Sequence, residues 1–396
     1  MTIRLYRDDP YLLDFEASIV SRGEREGRPV VVLDRTAFYP EGGGQPWDTG
    51  TLDDVAVLAV VEDAGQVLHV VERSIESARV RGRVDSERRR DHLQQHHGQH
   101  LLSRALVETA AARTISFHMG SETSTVDLDR PVSRDAFVAA EKRANEVVWQ
   151  ARPVSTRVVS VNEAEALGVE PPPDALDGVR LVEAEGFDLQ ACGGTHPRTT
   201  SDVGLVLVLD HERYKGGSRV HFVCGHRALR LLEAQQGVLR DMRQLFSCPW
   251  QGLVAAAEGA LAQIAESRRR VQALVQRAVN AEAERFLATV APAPVASAIY
   301  EDWRPEELRA LAERLVAARE GVVLLGSRSG GAHLCFAQSP GLAHDVPGLL
   351  REVASRLGGR GGGKGSIAQG GSENAEGLED AIAWAASRLS QEPTAS

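Results

Sequence analysis

Lysine is nearly missing from this sequence. Of 45 basic residues only Lys142, Lys215 and Lys364 are lysines, which reads as a bias toward arginine codons rather than a mechanism. Aromatic residues are also sparse, at 5%. No run of 18 apolar residues occurs, which excludes a membrane-spanning helix. No charged start followed by an apolar run opens the chain, so no secretory signal is expected. The four cysteines, Cys192, Cys224, Cys248 and Cys335, are scattered and suggest no disulfide framework. A reduced, cytoplasmic protein is the expectation. Basic excess is lacking as well: the net charge of −10 argues against indiscriminate nucleic-acid binding but leaves room for a local basic face.

What is present is ordinary globular material. The 396 residues, 43% hydrophobic and 25% charged, allow two to four domains with buried cores. Residues 3–90 read as β-structure, from valine-rich runs such as "PVVVLDRTAFYP" and "VAVLAVVED" bounded by turn residues. Between them lies the glycine-rich stretch "PEGGGQPWDTG", where bare backbone can approach a ligand or another strand. The period then changes: Leu93, His97, Leu101, Leu102 and Leu106 recur at helical spacing, predicting a helix over 86–112. A second helix is predicted over 135–151, and strands return in "TRVVSV" and "GLVLVLDHERYKGGSRVHFVCG". Residues 226–290 are almost all helical in pattern, and no proline interrupts 251–291. They read as a hairpin linking two domains or, more sharply, as a dimer interface. "APAPVAS" at 291–297 looks like a linker. Beyond it come a strand at "GVVLLGS", a helix over 346–357, the run "GGRGGGKGSIAQGG" and a helix over 374–389. Segregated helices and strands make the fold class α+β.

The chemistry concentrates in "DHLQQHHGQH", with four histidines in nine positions. His92, His96 and His100 share one helical face, and His97 lies about 100° away. Two imidazoles one turn apart can chelate a cation. Chance supplies roughly 0.4 such pairs in a chain of this composition, so the pair alone decides little. "CGGTH" adds Cys192 and His196, again four apart, a pairing expected by chance only about 0.1 times. Thiolate and imidazole together suit zinc, and Gly193 and Gly194 allow the sharp turn that brings both side chains to one point. The alternative is a solvated histidine-rich helix face beside an unrelated buried cysteine. A zinc-protease helix is excluded, because no glutamate follows the first histidine. An Asp-His-His triplet for phosphoester chemistry is also missing. Cys224, Cys248 and Cys335 read as core thiols.

"HHGQHLLS" followed far downstream by "CGGTH" resembles the editing domain of alanyl-tRNA synthetases. "TAFYPEGGGQPWDTG" resembles the glycine-rich motif of the domain before it, and "GGRGGGKGSIAQGG" that of the synthetase's C-terminal domain, also found in DHH phosphoesterases. These motifs cover about 30–225 and 355–375. Nothing resembles an aminoacylation core, and no class II synthetase motif precedes the editing region. The chain therefore looks like a free-standing alanyl-tRNA editing protein of the long AlaX form.

The resemblance implies an N-terminal β-barrel (1–88), an α+β zinc editing domain (89–228), a helical linker (229–290) and a C-terminal α/β glycine-rich domain (291–396). A homodimer would form through 229–290 or the C-terminal domain. The resemblance makes His96, His100, Cys192 and His196 the ligands of Zn2+ and leaves His92 and His97 without a metal role. The family pattern has threonine where His97 stands, which puts the amino-acid preference in doubt. The implied substrate is alanine tRNA carrying serine or glycine, because a pocket built for alanine excludes neither strongly and a second, hydrolytic sieve is needed. Four protein ligands mark a structural site; a catalytic one needs a loose ligand, and His196 is the residue expected to leave or to handle a proton. Thr36 is the expected partner of the serine hydroxyl, or an ordinary strand threonine, with Gly43 and Gln45 on the same wall. Asp188 would orient a zinc-bound imidazole or only cap a turn. Arg88, Arg89 and Arg90, then Lys215 and Arg219 with Arg213 and Arg227, then Arg360 and Lys364, are the expected tRNA contacts. Two rival readings are a zinc-stabilised tRNA-binding module without turnover and a phosphodiesterase, the latter disfavoured by the missing triplet.

Overall fold

Alternating valines build the first sheet. In Arg79–Val84 the buried positions are Val80, Gly82 and Val84, and the arginines between them are exposed. Six antiparallel strands follow one another around a closed sheet in the order Asp14–Arg25, Arg28–Leu33, Gln66–Val71, Val55–Asp63, Gly50–Leu52 and Arg79–Val84. Its interior is filled by Phe15, Val31, Leu33, Phe38, Val57, Val60 and their neighbours. The computed structural model describes residues 2–173 and 178–391.

The arginine-rich stretch 79–90 is therefore a strand and then a helix start. Helix α1 (Ser86–Ala110) is capped by Asp85, whose carboxylate accepts from the N–H groups of Glu87 and Arg88. It ends where Ala111 turns left-handed, with φ 51°. Gln94, Gln95 and Gln99 are buried like Leu101 and Leu102, so α1 is enclosed rather than amphipathic. Each buried amide needs a partner. Gln95 exchanges two hydrogen bonds of 2.9 Å with the backbone of Cys224. At Gly98 a Cβ would strike the Cys224 sulfur, so α1 crosses strand Gly217–Cys224 at glycine distance.

Leu101, Leu102, Ala105 and Leu106 of α1 pack on Ala140, Ala144, Val147 and Val148 of helix α2 (Arg134–Trp149). Beneath lies a four-stranded sheet in the order Val206–Tyr214, Gly217–Cys224, Ser124–Leu128, Thr114–Met119. A three-stranded sheet, Val154–Val159, Val179–Ala184 and Asp188–Ala191, carries the second metal-site motif at its end. The short helix α3 (Val161–Ala166) and the long α4 (Gly225–Phe246) complete this part.

The chain divides into two units, Met1–Met242 and Arg243–Ser396. In the second, helix α5 (Leu253–Thr289) is separated from α4 by a break at Ser247, with φ 51°, and Pro249. The helical pattern of 226–290 is thus carried by two helices. A five-stranded sheet follows, in the order Val295–Glu301, Val322–Arg328, Ala332–Gln338, Ile367–Ser372, Arg360–Lys364. Its side chains alternate faces as strand geometry requires. Val322 and Leu324 face helices α7 (Val346–Arg356) and α8 (Leu378–Gln391), while Val323 and Leu325 face α5 and α6 (Pro305–Ala318). The glycine run is an edge hairpin in which Gly361 pairs with Gly370 under Leu350. Cys224 and Cys335 are buried thiols, but Cys248 is only half-buried, because it sits in the break between two helices. The expectation of a core thiol there is corrected. The whole is α+β, and among the described residues no helix is long and apolar enough to cross a membrane.

Candidate metal centre

The enclosed face of α1 and the loop after Ala191 meet at one point. The ligand atoms of His96, His100, Cys192 and His196 all lie within 4.8 Å of one another. The Cys192 Sγ is 3.3 Å from His96 Nε2 and 3.2 Å from His196 Nε2. A tetrahedral zinc with one sulfur and three nitrogens requires S···N edges of about 3.5 Å, from ordinary bond lengths. The four side chains therefore fit such an ion without moving far. His92 lies outside this group.

Each imidazole is held from behind through its other nitrogen, which fixes Nε2 toward the cluster. His96 Nδ1–H donates to Gln45 Oε1 at 2.7 Å. His100 Nδ1 lies 3.3 Å from Asp188 Oδ2, and His196 Nδ1 lies 3.1 Å from His97 Nδ1. Gln45 is itself fixed, donating to Thr195 Oγ1 at 3.0 Å and accepting from the Thr195 N–H at 3.2 Å. The glycine-rich motif thus reaches the metal ligands through an amide. Arg180 donates to the carbonyls of Cys192 and Gly194, at 2.8 and 2.9 Å, and holds the turn between the ligands.

Burial opposes a charge on Cys192, but the imidazoles of His96, His196 and His100 outweigh it and take the thiol well below its ordinary range. Burial lowers His100 too, yet Asp188 and Cys192 push it up to about 10. His196 falls to about 3, burial outweighing the pull of Cys192. His97 is lowered by burial and by the crowding of His196, His100 and His96. Each group thus favours the charged form of the other, the thiolate on Cys192 and the imidazolium on His100.

Other expected residues are placed differently. Gly43 lines a cavity of 580 Å³ that also contains Tyr39, Glu41, Arg180 and Cys192. Thr36 is not among the cavity's lining residues. It is wholly buried in the N-terminal sheet, 2.8 Å from His69 Nε2 and accepting from the Phe38 N–H. Gln45 serves His96 rather than the cavity wall. The expected tRNA contact Arg89 is corrected: it is 1% exposed and donates to Asp48, Pro10 and Ala37, so nothing of it reaches solvent. Arg219 spends its guanidinium on Asp127, at 2.6 and 2.9 Å, and on the Tyr214 ring. Arg227 is likewise paired with Asp91. Arg88 is half-buried, donating to the Trp47 carbonyl. Arg90, Arg213, Lys215, Arg360 and Lys364 are exposed. Arg180, Thr195 and the His97–His196 contact had no signal in the sequence, because nothing in spacing joins residues a hundred positions apart.

Gly194 shows how tight the turn is, since a Cβ there would collide with the His96 ring. Gly194→Ala is expected to weaken metal binding about 10–100-fold, the range seen when a ligand's support is lost. Competition with a chromogenic chelator measures it, and an unchanged affinity would refute the packing described.

Family models match in three places. One for class II (A) tRNA synthetases covers residues 12–88, one for the second additional domain of threonyl and alanyl tRNA synthetases covers 179–221, and a DHHA1 domain covers 292–391. The first falls on the N-terminal segment that carries "TAFYPEGGGQPWDTG", the motif read as resembling a synthetase domain. The alanine–tRNA ligase of Pyrococcus abyssi is 32% identical over 96% of this chain, and that of Natronomonas pharaonis 33% over 96%. The chain spans 43% of the length of each. The C-Ala domain of Aquifex aeolicus alanyl-tRNA synthetase matches at 30% identity, over 24% of this chain and 90% of that one, with a TM-score of 0.23.

The chain is thus similar to the editing and C-terminal parts of alanyl-tRNA synthetases. More particularly, it resembles a free-standing alanyl-tRNA editing protein: AlaX-L of Pyrococcus horikoshii is 28% identical over 93% of this chain and 94% of its own.

Proposed function

We propose that this protein is a trans-editing hydrolase that deacylates alanine tRNA mischarged with serine or glycine, with Zn2+ as its metal. The observation that carries the reading is the convergence of three imidazoles and one thiolate beside an open cavity. The likeness to an alanyl-tRNA editing protein supplies the substrate class.

His96, His100, Cys192 and His196 would hold the ion, and zinc bound there polarises an ester carbonyl or lowers the pKa of water. The protein's own part is positioning. The cavity in front of Cys192 receives the aminoacyl end, and Tyr39, Glu41 and Gly43 form its wall. Gln45, Asp188 and His97 fix the ligand rings, so little reorganisation remains at the moment of reaction. His196 is the ligand whose outer nitrogen meets another imidazole rather than an amide or a carboxylate, which supports it as the proton-handling residue. α5 exposes Leu261, Ile264, Val271 and Leu274, an apolar stripe in keeping with a dimer.

The direct test is deacylation of Ser-, Gly- and Ala-charged alanine tRNA with and without a zinc chelator. Rapid, chelator-sensitive loss of serine or glycine with alanine spared is the expected result. Hydrolysis of none of the three by zinc-loaded protein would favour a non-catalytic, zinc-stabilised tRNA-binding module.

The charge state of the cluster gives a second test. A ligating histidine must be neutral, but Asp188 and Cys192 push His100 up to about 10, so it has a proton to give up on binding, whereas the neighbouring imidazoles drive Cys192 toward its thiolate beforehand. Zinc uptake at neutral pH should release about one proton per ion, and affinity should rise about tenfold per pH unit between about pH 6 and 8. Calorimetry in two buffers of different ionisation enthalpy counts the protons. A count near zero or two would overturn the assignment.

A further inference from the structure

A second cavity, of 620 Å³, opens where helices α1 and α4 begin, and Arg88, Arg90, His92, His226, Arg227 and Arg230 line it. We propose that it binds a phosphodiester of the RNA chain whose 3′ end enters the metal centre. This rests on the editing reading above and adds a location for the backbone.

The charges around the cavity do not cancel. Asp91 spends both carboxylate oxygens on Arg227, at 2.7 and 2.6 Å, and the remaining guanidinium end of Arg227 donates to the Gly120 carbonyl. Arg88 uses only its Nε, toward the Trp47 carbonyl, so its two terminal nitrogens are left over. Arg90 and Arg230 are exposed, and neither has an ion-pair partner among the described residues. Against these three cations stands Glu87, the one lining carboxylate that is not neutralised. A cationic cavity in a chain of net charge −10 runs against the overall sign. It is the kind of local feature that draws a phosphate while the rest of the surface repels one.

His92 adds one further polar group to the wall. It is 2% exposed and lines the cavity. Its Nδ1 is buried without a hydrogen bond, and the nearest acid, Asp48, is 3.7 Å away. That nitrogen belongs to the Asp48 side of the ring. The ring's other nitrogen has no hydrogen-bond partner among the described residues, and a phosphate oxygen in the cavity can accept from it. Guanidinium groups are the natural partners of such an oxygen, binding it with two parallel N–H donors.

Position favours a polymer over a free anion. At 1.5 Å per residue, His96 and His100 lie about 6 and 12 Å beyond His92 along α1. The phosphate cavity and the metal cavity flank the same loop, Pro46 lining the first and Pro40 to Gly43 the second. One strand a few nucleotides long can occupy both. Phosphate contacts of this type fix register and carry no base specificity.

The test uses full-length, zinc-loaded protein carrying both Arg90→Gln and Arg230→Gln. The same charge change at Arg73 and Arg134, both exposed and away from the cavity, serves as the control. Affinity for uncharged alanine tRNA is measured by anisotropy over a salt series, beside the deacylation rate and zinc content. The cavity variant should bind at least about tenfold more weakly, and its log K against log salt slope should fall by about two, one per lost phosphate contact. Zinc content should not change, and the control should shift affinity less than about twofold. Equal loss in both variants, or none in the cavity variant while wild type deacylates normally, overturns the phosphate site and leaves the editing reading standing. A wild-type protein that neither binds nor deacylates the tRNA overturns both. Phosphate binding to the wild-type cavity that leaves tRNA affinity unchanged at constant ionic strength would assign the cavity to a free anion and overturn the polymer.

Discussion

Replacing Cys192 with alanine should empty the metal centre and stop ester hydrolysis together. Cys192 is the one ligand of the four that binds as an anion, and after Asp188 it is the group that favours the charged form of His100. Without it three imidazoles remain, which repel one another once two are protonated. Bound zinc is expected to fall from about one ion per chain to less than a tenth at micromolar metal, and deacylation to drop by at least about 100-fold, since the loss of a direct ligand exceeds the 10–100-fold typical of an outer partner. Cys335→Ser, which alters a buried thiol in the other unit, should leave metal content at wild-type level. Metal analysis and single-turnover deacylation of both variants decide the point. A Cys192→Ala protein that kept full activity would show that the site lies elsewhere.

Arg89→Met should cost the most stability of any single arginine change. The guanidinium donates to Asp48 Oδ2 twice, at 2.5 and 3.2 Å, and to the carbonyls of Ala37 and Pro10 at 2.6 and 2.7 Å. Asp48 is wholly buried. Removing the cation strands a carboxylate and two carbonyls in the interior, which costs about 3–5 kcal/mol. For a unit of this size that is a fall in Tm of roughly 10 °C. Arg89→Lys should recover little, because an ammonium cannot reach three acceptors fixed in the plane of a guanidinium. Arg90→Met, one residue away and exposed, should move Tm by about a degree or less. Calorimetric melting of the three variants tests this. Equal melting temperatures for Arg89→Met and Arg90→Met would mean that the buried ion pair contributes nothing net.

Three adjacent arginines show where reading the sequence stops. Arg88, Arg89 and Arg90 look equivalent as letters, and all three were reasonable RNA contacts. The helix turns each by about 100° from the last, so one donates to a loop carbonyl, one is sealed inside, and one faces solvent. Which direction is inward depends on where the N-terminal sheet closes over α1, and no local pattern states that. Thr36 teaches the same lesson. Its place beside the glycine-rich motif was legible, but the side to which its hydroxyl points was decided by strand alternation and by His69 across the sheet.

The sequence by itself determined a set of candidate ligands, from which the likeness to alanyl-tRNA editing domains, rather than spacing, left out His92 and His97. Residues four apart on a helix share a face whatever surrounds them, so "HHGQH" presents His96 and His100 together, and two glycines let "CGGTH" fold Cys192 and His196 to one point. These are short-range consequences of backbone geometry, as are the helices at Ser86–Ala110 and Arg134–Trp149. Only the tertiary structure decided what stands behind each ligand: Gln45 for His96, Asp188 for His100, His97 for His196. It also decided which arginines remain free to meet a phosphate. Those contacts join segments from about 50 to 140 residues apart. They exist because packing brings the segments together, and packing is a property of the whole chain rather than of any stretch within it.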